Sequence, residues 1–383
     1  MFRSFKVVAL LAIAFSHAFA SVYAGYTLEM KRDSGSMKHN PDNHKALMDS
    51  IVAKYTKNAM NYHRNTGKHA RSVNASKLMK RSGNTASLDM LRWNWNVELE
   101  FGSNRQKLYV KFDTGSSDVV MDGRGYDPSS SSTSEDQHTT FNANYVSANA
   151  GGKVYKDVVA MAGIQAKDVT ISVSNDDFLT MNKDAGIVGL SWPLLSSYNS
   201  SEPTFYEAFQ RQKLLKSNVY QFTLKADSTS YLDVGQIDTS KFSGSLSWVN
   251  VSPSDGYWST DIGINGNDCS GIIDTGTTII VAGNDKLKNL LSKLDGVTVK
   301  QDDDGNYQGW FNCNSPPEIK FSVAGKQFTM PEAIMKYQQS GNECRLPMNG
   351  MDGFSDWIFG TPFMEMASVV FDFDNARLGF ASQ

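Results

Sequence analysis

From residue 91 onward the chain alternates apolar and polar positions with the two-residue period of a half-buried strand. LRWNWNVELEF and QKLYVKFD flank a Gly102-Ser103-Asn104 turn, a pattern that predicts a hairpin. Short runs of this kind continue to the C-terminus. Helical spacing of apolar residues is sparse there and predicts helices only over 205–215, 286–294 and 331–339. The serine-rich stretch 128–134 reads as an exposed loop. Residues 21–81 differ in character. They hold two amphipathic runs, one through Leu47, Ile51 and Tyr55 with lysines between, and end at the dibasic pair Lys80-Arg81. Residues 1–20 differ again: Arg3 and Lys6, an apolar run over 7–15 and an Ala18-Phe19-Ala20 exit read as a secretory signal peptide. That run is too short to span a bilayer, and no later segment offers about eighteen continuous apolar residues.

The strand-rich region contains an internal repeat. LYVKFDTGSS at 108–117 and SGIIDTGTT at 270–278 each deliver Asp-Thr-Gly from the end of an apolar strand into hydroxyl residues. Each copy is followed by an apolar-apolar-Gly element, Ile187-Val188-Gly189 and Ile358-Phe359-Gly360. A single Asp-Thr-Gly-Ser is a common turn sequence. Two copies with matched flanks and matched downstream elements indicate duplicated halves and a site between them.

Charge and histidine sharpen this division. The 383 residues carry a formal charge of −3, but residues 1–20 carry +2, residues 21–81 carry +8 and residues 82–383 carry −13. Five of six histidines precede residue 82, leaving only His138 in the acidic body. An HExxH metal site or a His-rich cluster cannot be built from that body, and a Ser-His-Asp or Cys-His mechanism would have to use His138. Two carboxylates need no histidine. Held together at the ends of buried strands, Asp113 and Asp274 cannot both ionise readily and retain one proton between them at acid pH. The charged member then serves as general base toward a water and the protonated member as acid toward a carbonyl oxygen. Hydroxyls of Thr114, Ser116, Thr275 and Thr277 are placed to orient the carboxylates.

Three cysteines permit at most one internal bridge. Cys313 and Cys344, in one C-terminal stretch, are the better pair. Cys269 reads as an inert buried thiol, with a reactive free thiol as the alternative. Asn74, Asn199 and Asn250 open N-x-S/T sequons and are glycan acceptors if exposed.

On these motifs residues 90–383 resemble the pepsin-like aspartic endopeptidases. DTGSS at 113–117 and DTGTT at 274–278 look like the two catalytic loops, and GIVGLSWP and WIFGTPFMEMASVVFDFDNARLGFA look like the glycine-bearing elements and C-terminal strands. The resemblance implies an all-β fold with a few short helices, two pseudo-symmetric lobes and an active site in the cleft. It implies a signal peptide at 1–20, a basic prosegment at 21–81, an N-terminal lobe at 82–226 and a C-terminal lobe at 227–383. Asp113 and Asp274 would be the catalytic dyad, Thr114 and Thr275 the cross-brace, and Gly115 and Gly276 the residues that permit the tight turns. Cys313 and Cys344 would form the C-lobe disulfide, and Tyr145 in FNANYVSANAGGKVYKDVV would sit near the tip of a flap over the substrate.

Three departures bear on function. Val146 and Ser147 follow Tyr145 where glycine is usual, which stiffens or reshapes the flap tip. Val120 stands where many members have tryptophan, and Thr361 where aspartate is frequent. Lys54, followed by Tyr55, resembles the family's inhibitory lysine-tyrosine pair, the other reading being a solvated helix lysine. As pH falls, the basic segment loses its carboxylate partners, so acid is expected both to unmask and to activate. The leading expectation is a secreted acid endopeptidase made as a zymogen. It would be a monomer acting on polypeptides, without cofactor, metal, nucleic-acid partner or membrane anchor. The alternatives are a vacuolar or lumenal destination and a catalytically silent relative that uses the cleft to bind peptides.

Overall fold

The strand-forming alternation closes on two large sheets. The structure is a computed structural model that describes residues 25–32, 41–79, 95–145, 148–174, 185–198, 202–225 and 229–383. The signal-peptide stretch, Lys80-Arg81, Val146-Ser147 and Asn199 lie outside the described residues. Among the described residues, one sheet has thirteen strands and runs from Ser243–Asn250 at one edge, through Ala367–Asp372, Val219–Thr223 and Gln106–Asp113, to Glu135–Tyr145 at the other. The second has ten strands and contains Asn267–Ile273, Ile280–Ala282 and Trp357–Phe359. The fold is the bilobal, strand-rich pepsin-like architecture. The hairpin expected around Gly102 is present, with Trp95–Phe101 antiparallel to Gln106–Asp113.

The duplication is visible in register. In the first half Gln106–Asp113 runs parallel to Gly186–Gly189, with Asp113 opposite Gly189, and Val119–Asp122 pairs antiparallel to the same short strand. In the second half Asn267–Ile273 runs parallel to Trp357–Phe359, and Ile280–Ala282 pairs antiparallel to it. The downstream apolar-apolar-Gly elements are therefore the strands that lie beside each aspartate strand.

Beneath the cleft the halves are joined by aromatics. Trp258 is fully buried and its indole N–H donates to the Leu190 carbonyl at 2.8 Å. Its ring lies 4.7 Å from Trp192 and 4.7 Å from Phe373, which stacks on Tyr206 at 3.7 Å. Side chains of this size contribute roughly 1.5–3 kcal/mol each through burial. The Leu190 N–H in turn donates to the Asp113 carbonyl at 2.8 Å, so the cluster supports the first aspartate loop.

Two expected helices shorten. Phe205–Arg211 starts at Thr204, whose N–H donates to Glu207 Oε2 at 2.9 Å, and buries Phe205, Tyr206, Ala208 and Phe209. It stops before 215 because Lys213 adopts φ +53°. The helix expected over 331–339 is only Glu332–Met335, since Gln338–Ser340 pairs with Glu343, Cys344 and Arg345 instead. Tertiary pairing overrides the apolar spacing there. The third expected helix is present as Asn284–Leu291 with Leu287, Leu290 and Leu291 buried.

The basic segment is more ordered than its sequence suggested. Tyr26–Arg32 is a strand inserted between Ser230–Val234 and Trp95–Phe101. The amphipathic run becomes one 26-residue helix, Pro41–Thr66, called the cleft helix below. Proline opens it, where no N–H partner is needed. Gly67 at φ +70° closes it, its N–H bonding the His63 carbonyl at 2.8 Å. Leu47, Ile51, Tyr55, Ala59 and Tyr62 are buried, but so are the polar Thr56, Lys57, Asn58 and Asn61. A helix buried on an apolar and a polar face is covered on both sides, because it lies in the cleft.

Candidate active site

Each aspartate stands at the end of an apolar strand, on a turn that folds its own loop back over the carboxylate. The Gly115 N–H donates to Asp113 Oδ1 at 3.0 Å and Ser116 Oγ to Asp113 Oδ2 at 2.5 Å. The second loop repeats this: Gly276 N–H donates to Asp274 Oδ1 at 2.8 Å and Thr277 Oγ1 to Asp274 Oδ2 at 2.5 Å. Both carboxylates are buried, and both glycines are required by the opposite half. A Cβ on Gly115 would lie 2.5 Å from Asp274 Oδ1, and one on Gly276 would overlap Asp113 Oδ1. Each loop thus passes within van der Waals contact of the other loop's carboxylate.

The threonines lock the halves together. Thr114 N–H donates to Thr275 Oγ1 at 2.9 Å and Thr275 N–H to Thr114 Oγ1 at 3.0 Å. Each hydroxyl then crosses to the other strand, Thr114 Oγ1 to the Ile273 carbonyl at 2.9 Å and Thr275 Oγ1 to the Phe112 carbonyl at 2.7 Å. All four bonds are buried, so they fix the separation of the carboxylates without solvent competition.

The cleft helix lies over this pair. Lys54 Nζ donates to Asp113 Oδ1 at 3.1 Å and to Asp274 Oδ2 at 2.7 Å, and Tyr55 Oη donates to the same Asp274 Oδ2 at 2.8 Å. Asn58 Nδ2 reaches the Gly115 carbonyl at 2.7 Å. Anchors hold the helix at both ends. At the start of the helix His44 Nε2 lies 3.1 Å from Asn349 Oδ1, and Arg345 meets His44 Nδ1 at 3.1 Å. Near its end Asn61 donates to the Leu195 carbonyl at 2.9 Å and Arg64 to the Ser196 carbonyl at 2.7 Å.

The two carboxylates are electrostatically unlike. Burial alone would raise Asp113, but Lys54, Lys111 and the Ser116 hydroxyl outweigh it and hold the group well below the usual carboxylate range. Asp274 is shifted upward, by burial first and by the neighbouring Asp113 charge, against the pull of Lys54. Burial would lower Lys54, yet the two carboxylates more than offset it and its pKa is raised. The arrangement gives one carboxylate that ionises readily and one that retains its proton more readily, the pairing that general acid-base work on a carbonyl needs.

Other expected residues fall as follows. Tyr145 ends the strand Glu135–Tyr145 and pairs with Ala148, on a hairpin that projects from the edge of the larger sheet. Val120 is buried with Ala53, Phe141 and Val154. Thr361 is buried, with its N–H on the Thr277 carbonyl at 2.8 Å, directly behind the second loop. Cys313 and Cys344 are disulfide-bonded. Cys269 is half-buried rather than fully buried, because its strand position borders a surface cavity with Lys286 and Lys293; its thiol donates to the Ile262 carbonyl at 3.1 Å, and burial pushes its pKa up to about 12. Asn250 is exposed and Asn74 is exposed.

Sequence reading missed a second buried ion pair. Lys57 Nζ lies 2.7 Å from Asp118 Oδ2, one helical turn beyond Lys54 and five residues beyond Asp113. The equal ordering of Lys54, Lys57 and Asp113, Asp118 along the two segments was the available signal. Lys111, buried two residues before Asp113 on the same strand face, was also missed.

A two-lobed fold with paired Asp-Thr-Gly loops facing across a cleft defines an aspartic protease architecture. The sequence profile of the eukaryotic aspartyl protease family matches residues 94–383, and the chain belongs to that family. It is similar to secreted aspartyl protease 1 of Malassezia globosa, with 34% identity covering 87% of this chain and 86% of the relative. It is also similar to a probable inactive secreted aspartyl protease of the same organism, with 29% identity covering 83% and 86%. Penicillopepsin-1 of Penicillium janthinellum is 28% identical over 72% of this chain and 91% of its own. No helix among the described residues is long and apolar enough to cross a membrane.

Proposed function

We propose that the chain is the zymogen of a secreted acid endopeptidase in which Asp113 and Asp274 activate a water against the peptide carbonyl. The observation that carries this reading is the seat of Lys54, whose ammonium bonds both carboxylates at 3.1 and 2.7 Å from a helix that lies in the cleft. A cation in that place occupies the position of the attacking water and blocks the substrate path. Once it leaves, Asp113 takes the water proton as general base while the carboxyl of Asp274 donates to the carbonyl oxygen. Collapse of the tetrahedral intermediate breaks the C–N bond as Asp113 passes the proton it took from water to the leaving nitrogen, and Asp274 recovers a proton from the intermediate's hydroxyl; water is the nucleophile, so no covalent enzyme intermediate is needed.

In this reading residues 1–20 direct export, 21–81 form the inhibitory prosegment, and 82–226 and 227–383 supply the two catalytic lobes of a monomer. Processing occurs after Lys80-Arg81 or by self-cleavage. Acid drives release: Asp113 and Asp118, both held below the ordinary carboxylate range, bind their lysines with full strength above about pH 4, and that stabilisation is lost as pH falls through their depressed values. A relative named as probably inactive makes the silent reading worth a direct test. Acid-incubated full chain is expected to digest a denatured protein, with digestion abolished by a statine-type inhibitor and by Asp113→Asn or Asp274→Asn. Cleavage that persists in both variants, or a wild type that sheds its prosegment and cuts nothing, would overturn the proposal.

A further inference from the structure

The Lys57 seat has the construction of a binding site. Asp118 is buried, and its Oδ1 accepts from Ser196 Oγ at 2.8 Å and from the Ser197 N–H at 2.8 Å. Its Oδ2 accepts from Ser197 Oγ at 2.6 Å and faces Lys57 Nζ at 2.7 Å. The Lys57 ammonium also lies 5.4 Å from the centre of the Phe141 ring, within cation–π range. Every group except Lys57 belongs to the protease body; the lysine alone comes from the cleft helix. The same cavity is lined by Asp113, Ser116 and Val120, so the seat opens onto the first of the two carboxylates. Three donors fix the Asp118 carboxylate independently of Lys57 and favour its ionised form.

We infer that Asp118, with Ser196, Ser197 and Phe141, forms a specificity subsite that accepts the ammonium or guanidinium of a basic substrate side chain next to the bond being cut, and that Lys57 fills this subsite in the zymogen. The inference rests on the proposed function, in which the cleft helix departs. Lys57 follows Lys54 by three residues, an axial step of about 4.5 Å in a helix, which an extended peptide spans in one to two residues. The subsite therefore serves a side chain one or two positions from the scissile bond. Val120 makes room for it, since a bulkier residue at that position would crowd the Phe141 face. The competing cation is Lys111, which lines the same cavity. Were Lys111 to turn onto Asp118 after the helix leaves, the subsite would be neutralised.

Two measurements decide the matter. In the first, the acid-processed protein cleaves a peptide series in which each position flanking the scissile bond carries lysine, arginine or uncharged norleucine. The expected result is a preference of about tenfold in kcat/KM for the basic residues over norleucine at one position, and a ratio of about one, taken within the variant itself, in Asp118→Asn. No basic preference at any position overturns the inference, whether Lys111 or solvent is responsible. In the second, full-chain Lys57→Ala is heated at pH 6 with n-butylamine or with 1-butanol. The amine is expected to raise its Tm by about 2 °C or more and the alcohol not to, with no amine effect when Asp118→Asn is added. Equal effects of amine and alcohol overturn the cation site. A wild type that cuts no peptide contradicts the proposed function itself, and the thermal measurement, which needs no activity, then decides the cation seat alone.

Discussion

The two aspartate loops share one backbone device and differ in what surrounds it. Both hold their carboxylate with a glycine N–H and a hydroxyl, and both exchange threonine bonds with the other. Around Asp113, however, the strand carries Lys111 and the loop continues into Asp118, whereas the strand before Asp274 contributes the apolar Ile272 and Ile273. Against burial, Lys54 first and Lys111 second hold the first carboxylate low, while burial shifts the second up against the pull of the same Lys54. Symmetry of backbone fixes the distance between the groups; asymmetry of side chains sets them apart electrostatically, and under the proposed function that difference makes Asp113 the base and Asp274 the acid.

The comparison can be broken at several levels. Under the proposed function, converting either carboxylate to its amide, Asp113→Asn or Asp274→Asn, removes one of two required roles, and kcat on a peptide substrate is expected to fall by at least about a thousandfold in each. A residual rate near wild type in one variant would show that the halves are not equivalent partners. Thr114→Val or Thr275→Val leaves a buried N–H and a buried carbonyl without partners, at a cost of about 2–4 kcal/mol, read as a lower Tm by thermal unfolding. Equal losses in the two variants are expected from the reciprocal bonds; a harmless change in either would mean that the aromatic cluster alone sets the spacing.

The smallest change isolates the asymmetry. Lys111 lowers Asp113, so Lys111→Met raises the Asp113 pKa and moves the acid limb of the kcat/KM profile upward by less than about one pH unit. The basic limb, governed by the carboxyl that keeps its proton, is expected to move less. A downward shift, or equal movement of both limbs, would contradict the assignment of Asp113 as the ionised member.

Much of this was legible in the sequence because the duplicated loops are short and local: Asp, Thr, Gly and the hydroxyl act within four residues, and their strands announce themselves by alternation. The downstream Gly189 and Gly360 were legible for the same reason. What escaped depends on contacts between distant segments. The strand Tyr26–Arg32 buries only Met30 fully and exists because two sheet strands flank it. The Asp118–Lys57 pair joins residues 61 positions apart, and each reads in isolation as a solvated charge. The 331–339 region shows the converse error, where a helical spacing lost to pairing with the strand Glu343–Gly350.

The central claim is that Lys54 closes a formed and otherwise competent dyad. It is tested most directly by binding of a statine-type inhibitor to the full-length chain across pH, in wild type and in Lys54→Met. Wild type is expected to bind weakly at neutral pH and tightly below about pH 4, and Lys54→Met to bind tightly at a pH at least one unit higher. Tight binding by wild type at neutral pH, or identical profiles for the two proteins, would contradict the account.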